Sequence, residues 1–90
     1  MKFLMGQVVM TPSVEAVMME HKVSWIDLLK RHSNCDWGVL DPEDVKANED
    51  ALKYGNRILS SYPIPNTDEK IWIISEADRS VTTLLLPSDY

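Results

Sequence analysis

Residues 71–86 read IWIISEADRSVTTLLL, and this stretch decides the fold because two apolar runs flank a short polar segment. The runs are rich in β-branched, aromatic and leucine residues, which suit the pleated surface of a sheet. The segment 77–80, ADRS, has no Gly or Asn for a two-residue turn, so a four-residue loop around a type I turn is favoured. The stretch therefore predicts one β-hairpin with strands over 71–76 and 81–86.

In that hairpin Glu76 is opposite Val81 and Trp72 is opposite Leu85. Because side chains alternate between the two faces of a strand, each face receives its own set of apolar residues. The predicted core face contains Ile71, Ile73, Leu84 and Leu86. The second face, which is too apolar to be left in water, is a predicted interaction surface that contains Trp72, Ile74, Thr83 and Leu85.

Length and composition indicate a single domain over residues 1–90. The chain is 44% hydrophobic and 26% charged, as is common for globular proteins. Its one cysteine, Cys35, excludes an intramolecular disulfide and a cysteine-only metal site. The first ten residues, MKFLMGQVVM, fit neither a signal peptide nor a membrane helix. We therefore expect a cytoplasmic protein with no membrane partner.

The formal net charge is −5, which disfavours nucleic acid as a partner. Residues 11–54 hold nine acidic and five basic side chains, so the acidity belongs to the helical half. A helix-turn-helix interpretation of the first two predicted helices is also disfavoured, because their turn has no Gly and the second helix has bases only at its end. The acidic helices leave open a different role, that of a DNA mimic.

Three helix starts are readable upstream of the hairpin. Thr11 precedes Pro12, Ser24 precedes an apolar stripe with Trp25, and Asp41 precedes Pro42, and each is predicted to be an N-cap. The helices are predicted to end near His21, Asn34 and Tyr54. A third strand is predicted over 57–62 and a short one over 3–10. The predicted class is α+β, with three N-terminal helices on a C-terminal three-stranded antiparallel meander.

Two polar residues occupy positions that face the predicted core. His32 continues the apolar stripe of the second helix, where a lone His is more often a packed, hydrogen-bonded residue than a ligand or base. Asn48 lies on the buried side of the third helix, and its amide is predicted to tie that helix to loop backbone. Asp41 is predicted to have a structural role as a cap. No spacing of His, Cys or carboxylates predicts a metal site or a cofactor.

A catalytic alternative uses polar residues near the ends of the strands. An RNase-like toxin would place His, Arg and Thr or Tyr on an antiparallel sheet behind N-terminal helices. The residues that would serve are His32, Arg57, Arg79, Thr82 and Tyr90. Turn formation explains part of this set without catalysis, if Asp78 caps the hairpin loop and Arg79 pairs with Glu76.

Several segments together resemble a family of uncharacterised small proteins from bacterial plasmids and integrative conjugative elements. The similarity covers nearly the whole chain and is carried by GQVV with Thr11-Pro12, DWG at 36–38, Asn48 with Ala51-Leu52, Gly55 with Arg57-Ile58, IWII at 71–74, EADRS at 76–80, Leu86-Pro87 and Tyr90. Ser75 stands where members of the family tend to have Thr. The resemblance implies a setting on a mobile element. Because the family is uncharacterised, it gives no activity or mechanism that could be inferred for this chain.

The sequence supports three hypotheses for function. The favoured one is a noncatalytic protein-interaction module of a mobile element, which forms a homodimer or binds a host protein through the second apolar face. The RNase-like toxin is the second. The third is an acidic DNA mimic that inhibits a host nuclease.

Overall fold

The computed structural model describes residues 2–90, which form three helices and a four-stranded sheet. The elements are β1 (Gln7–Met10), α1 (Pro12–His21), α2 (Trp25–Ser33), α3 (Pro42–Tyr54), β2 (Ile58–Pro63), β3 (Lys70–Ser75), β4 (Val81–Leu85) and a 3-10 turn (Pro87–Asp89). The strand order is β1-β4-β3-β2. The α+β class and the N-terminal strand are confirmed. The antiparallel three-stranded meander is wrong as a description of the sheet, since β1 adds a fourth strand parallel to β4.

The hairpin of β3 and β4 has the predicted register. Trp72 pairs with Leu85, and the N–H of Glu76 donates to the carbonyl of Val81 at 3.0 Å. The loop differs from a plain type I turn because Arg79 adopts a φ of 61°. Asp78 stabilises it by accepting a hydrogen bond from the N–H of Ser80 at 3.0 Å. An L-residue thus supplies the positive φ for which the sequence offers no Gly.

Strand β1 joins the sheet immediately after a glycine that fits closely against the hairpin loop. Gly6 has a φ of 65°, and a Cβ there would lie 2.4 Å from the carbonyl oxygens of Arg79 and Ser80. The next residue, Gln7, donates its N–H to the Ser80 carbonyl at 2.9 Å, and Thr11 donates to the Leu84 carbonyl at 3.1 Å. This parallel pairing joins residues more than seventy positions apart, which is why local sequence patterns do not reveal it.

All three predicted helix starts are confirmed, but their caps differ. The Thr11 and Ser24 side chains accept hydrogen bonds from first-turn N–H groups, each at 3.3 Å. Within residues 2–90 the Asp41 side chain makes no such bond, and only its backbone carbonyl accepts from Asp44 and Val45. The prediction that the Asp41 carboxylate caps α3 is therefore wrong, although Asp41 is the residue at the N-cap position.

Replacing Asp41 by alanine should lower the free energy of unfolding by no more than about 0.5 kcal/mol, because only a charge near the helix dipole is lost. The matched variant Ser24→Ala removes a real cap bond and should cost about 1 kcal/mol. Urea denaturation of both variants measures the difference. An equal loss in the two would mean that Asp41 caps α3 in solution.

The core lies between the helices and one face of the sheet. Its main cluster contains the predicted core-face residues together with Val14, Met18, Leu28, Leu29, Tyr62 and Ile64. A second cluster joins Ala51 of α3 to Ile58 and Trp37. Trp25 is 42% exposed, so it does not belong to the buried stripe of α2. Within residues 2–90 neither cluster includes Ile74 or Leu85, and these two residues belong to the opposite face.

The outer edge of β2 is closed by two features of the chain. The Asn48 side chain donates to the carbonyl of Leu59 at 2.6 Å and accepts from the N–H of Leu59 at 3.0 Å. Trp37 and Val39 pair with the backbone of Ser61 on either side of Gly38. Asn48 therefore ties α3 to an edge strand and not to a loop, and it satisfies backbone groups that would otherwise be open to another strand.

Candidate functional site

The sheet face away from the helices, here called the helix-free face, is the first candidate site. The strand register places Leu59, Ile74 and Thr83 in one row across the sheet and Trp72 beside Leu85 in the next. The helix residues that are buried pack on the other face. A mostly apolar surface therefore remains without a helix over it in the part of the chain that the structure describes.

Exposure is uneven across the helix-free face. Ile74 and Leu85, on the two central strands, are each 6% exposed. Trp72 and Thr83 are half-buried, and Val9 on the edge strand β1 is 38% exposed. Of the four predicted interaction residues, Trp72 and Thr83 are thus the two that a partner can reach directly.

Trp72 stands between two shallow depressions. One, of about 370 Å³, lies toward the 3-10 turn and is bordered by Asp68, Glu69 and Leu86. The other, of about 270 Å³, lies toward the start of α3 and is bordered by Val39, Leu40, Asp41, Asp44 and Leu59. Lys70 borders both. An aromatic ring with hollows on either side and charged groups at the margin is the usual anatomy of a contact surface.

Tyr90 reaches onto this face from the end of the chain. Its ring makes a T-shaped contact with Trp72, with 5.9 Å between ring centroids. Its hydroxyl accepts a hydrogen bond from Arg57 at 2.8 Å, and Arg57 also binds Glu76 at 3.2 Å. The Glu76 carboxylate, followed by Tyr90, raises the pKa of Arg57 above its usual value. The pair that forms is Arg57 with Glu76, and the predicted pair of Arg79 with Glu76 is wrong.

A second candidate site lies inside the core around His32. The ring contacts two serine hydroxyls, with Nδ1 2.5 Å from Ser60 Oγ and Nε2 2.9 Å from Ser75 Oγ. Ser75 Oγ lies 2.7 Å from Thr82 Oγ1, which in turn donates to the Met5 carbonyl at 2.7 Å. All four side chains are 0% exposed. The four side chains belong to α2, β2, β3 and β4 and form one hydrogen-bond network.

The end of this network fixes the direction of every bond. Because Thr82 spends its single hydroxyl proton on the Met5 carbonyl, Ser75 must be the donor to Thr82. Ser75 then has no proton left for His32, so Nε2 carries the hydrogen and donates to Ser75. Nδ1 of the neutral ring is left as an acceptor for the Ser60 hydroxyl. His32 is therefore neutral and carries its hydrogen on Nε2. A histidine that acts as a general base is also neutral, so the charge state alone does not distinguish the two roles.

The surroundings of His32 keep it neutral and inaccessible. Burial, and to a lesser degree the charge of Arg79, lower its pKa from 6.5 to about 4. Phe3 and Trp37 pack against the ring with centroids 5.3 and 6.1 Å away. Throughout residues 2–90 every buried side-chain nitrogen and oxygen has a hydrogen-bond partner. Each polar group of the network is therefore paired with another group of the protein.

The five residues of the catalytic alternative fall into separate groups. His32 and Thr82 belong to the buried network, whereas Arg57 and Tyr90 meet on the helix-free face. Arg79 is used structurally: its guanidinium donates to backbone carbonyls of Asn56, Glu76, Ala77 and Ala51. The structure thus brings together two pairs and no single cluster of five.

The remaining charged groups do not form a further site. In the range 2–90 no three His, Cys, Asp or Glu side chains are grouped as metal ligands would be. The acidic residues of α3, Glu43, Asp44, Glu49 and Asp50, lie on its surface, half-buried at most. No helix within the described residues is long and apolar enough to cross a membrane.

No family model, no curated protein and no solved structure matches this chain.

The sequence predicted that Trp72, Ile74, Thr83 and Leu85 share one face, but it did not predict that Leu59 and Val9 lie beside them. It also missed Ser60 and Ser75 as partners of His32. Their signal was present, since Ser60, Ser61 and Ser75 are polar residues within strands that are otherwise apolar.

Proposed function

We propose that this protein is a noncatalytic protein-interaction module that self-associates through the helix-free face. The observation that supports this most is that buried apolar residues of all three helices pack on one side of the sheet, which leaves Trp72 half-buried on the other. An exposed apolar surface of this kind is commonly a contact site. The residues proposed to touch the partner are Trp72 and Thr83, with Val9 and Leu59 at their sides, and the buried Ile74 and Leu85 support them from within the sheet.

Trp72 is the proposed anchor of a two-fold contact. In such a dimer the same patch occurs on both copies, so the tryptophan of each copy can enter a depression beside the tryptophan of the other. Large aromatic side chains dominate the binding energy of many interfaces. Lys70 and the acidic groups Asp68, Glu69 and Asp44 lie at the margin, where opposite charges can pair across the axis.

The closed His32 network supports the noncatalytic part of the proposal. A nucleophile or general base has to reach its substrate, and His32, Ser60 and Ser75 are fully buried. The sequence resemblance supports placing the module among the accessory proteins of a bacterial mobile element. A cytoplasmic location belongs to the same proposal, and a host protein is the alternative occupant of the face.

Light scattering over a concentration series tests the proposal. The mass of the wild type should rise from one chain toward two with concentration, and Trp72→Ala should weaken association about 30-fold or more, as loss of an anchor does. Trp25→Ala is the matched control, since Trp25 is 42% exposed but lies on α2. Added salt should strengthen the dimer, because each copy has a net charge of −5 and salt screens the repulsion.

Two results would count against self-association through the helix-free face. One is a mass of a single chain at every concentration and salt level. The other is a dimer that Trp72→Ala and Trp25→Ala weaken equally, because the contact would then not be centred on the helix-free face.

A further inference from the structure

The segment that follows β4 returns to the body of the protein and is held there by one carboxylate. Asp89 accepts hydrogen bonds from the hydroxyls of Thr11 and Ser13 at 2.6–2.7 Å and from the N–H of Leu86 at 2.9 Å. These hydrogen bonds, of which the one from Ser13 has the largest effect, lower the pKa of Asp89. The backbone up to residue 89 is therefore fixed at the start of α1, and the next side chain is directed from that point.

The Tyr90 side chain makes two contacts on the helix-free face. One edge of its ring contacts Trp72, and its hydroxyl contacts Arg57, which is bound to Glu76. Trp72 and Glu76 are four residues apart on one strand face, which corresponds to about 13 Å. Ile74 lies between them on the same face. Trp72 and Glu76 therefore lie on either side of Ile74, and Tyr90 contacts Trp72 directly and Glu76 through Arg57.

The backbone before Tyr90 is held in place, whereas the Tyr90 side chain is held only weakly. Tyr90 is 74% exposed, and its contacts on the face are one ring edge and one hydrogen bond to a half-exposed arginine. Rotation about the side-chain bonds of Tyr90 is enough to break both, while Asp89 keeps the backbone in place. Exposed side chains change rotamer quickly, so no slow rearrangement is needed.

We propose that Tyr90 is a strap that lies over the Trp72 contact surface in the single chain and swings aside when that surface binds a second copy. This inference rests on the self-association proposed above. In the closed position the Tyr90 ring covers part of Trp72, and in the open position that part of Trp72 is exposed. Both copies have to open, so the strap weakens association twice over.

The test compares Tyr90→Ala, which removes the strap, with Tyr90→Phe, which keeps the ring but loses the bond to Arg57. Tyr54→Ala is the control, since Tyr54 is 67% exposed on α3, away from this contact. Tyr90→Ala should tighten dimerisation at least ten-fold, and Tyr90→Phe should have a smaller effect in the same direction. Tyr54→Ala should leave it unchanged. If the wild type dimerises, weaker or unchanged dimerisation of Tyr90→Ala would overturn the strap.

A second measurement reports on the strap in the single chain, independently of dimerisation. In a Trp25→Phe background at the lowest concentration, Trp72 reports exposure while Trp37 stays buried. Acrylamide quenching should increase when Tyr90→Ala is added, and unchanged quenching would overturn the strap. If quenching increases while every variant stays monomeric, the strap is supported and the self-association proposal fails.

Discussion

The free energy of unfolding should rise by on the order of 3 kcal/mol between about pH 4 and pH 6.5 because of His32. Its pKa is 6.5 in a free chain and about 4 in the folded protein, where burial disfavours the charged ring. As the pH falls, the unfolded chain therefore binds the proton first. The stabilisation is complete above pH 6.5 and is lost toward pH 4. Urea denaturation at a series of pH values measures this.

His32→Gln is the control, since its amide can accept from Ser60 and donate to Ser75 but does not titrate. It should be less stable than the wild type at neutral pH, yet lack the rise between pH 4 and 6.5. Hydrogen bonds lower the pKa of Asp36, Asp78 and Asp89 below 3.8, so the stability that they add is lost only in a more acidic range. Parallel pH curves for the two proteins would show that His32 is charged or solvated in the fold.

Replacing Asn48 by alanine should reduce the free energy of unfolding by about 2–4 kcal/mol. The residue is 2% exposed, and its amide satisfies both the N–H and the carbonyl of Leu59 on the edge strand. The alanine variant leaves those two groups without partners at a buried position. Chemical denaturation gives the loss directly.

Asn48→Asp separates the hydrogen bonds from the shape of the side chain. Aspartate can accept from the Leu59 N–H, but its ionised carboxylate cannot donate to the Leu59 carbonyl. The variant should be strongly destabilised at neutral pH and regain part of the difference in acid, where a protonated carboxyl donates. Asn56→Ala, at an exposed position, should stay within about 0.5 kcal/mol of the wild type. An Asn48→Ala protein equally close to the wild type would contradict the proposed closure of the β2 edge.

The hairpin was predictable because its information is local. Alternation in residues 71–86 fixes which side chains share a face, so the pairing of Trp72 with Leu85 followed from the sequence. Helix starts were equally readable from Thr11, Ser24 and Pro42. The choice of Asp41 as a side-chain cap failed because cap chemistry depends on the rotamer, which the residue type does not determine.

The rest of the fold depends on contacts between distant parts of the chain. The parallel pairing of β1 with β4 needs Gly6 to fit against the hairpin loop, and no local pattern encodes that fit. The partners of His32 come from two strands, and a third strand supplies Thr82, which binds Ser75 and so determines the tautomer of the ring.

The apolar residues of the helix-free face could be predicted from the sequence, whereas the contact of Tyr90 with that face could not. Period-two alternation placed Trp72 and Ile74 on a face of their own, and the structure leaves that face without a helix. Tyr90 contacts Trp72 on that face, and its position is set by Asp89, which binds Thr11 and Ser13 far away in the sequence. This contact is a tertiary property that no local pattern encodes.

Backbone amide chemical shifts, recorded by NMR as the protein is diluted, report both self-association and where on the molecule it occurs. We expect concentration-dependent shifts on the helix-free face, at Val9, Leu59, Trp72 and Thr83, with little change in α1 and α2. Shifts that do not depend on concentration, or that change mainly in the helices, would contradict self-association through this face.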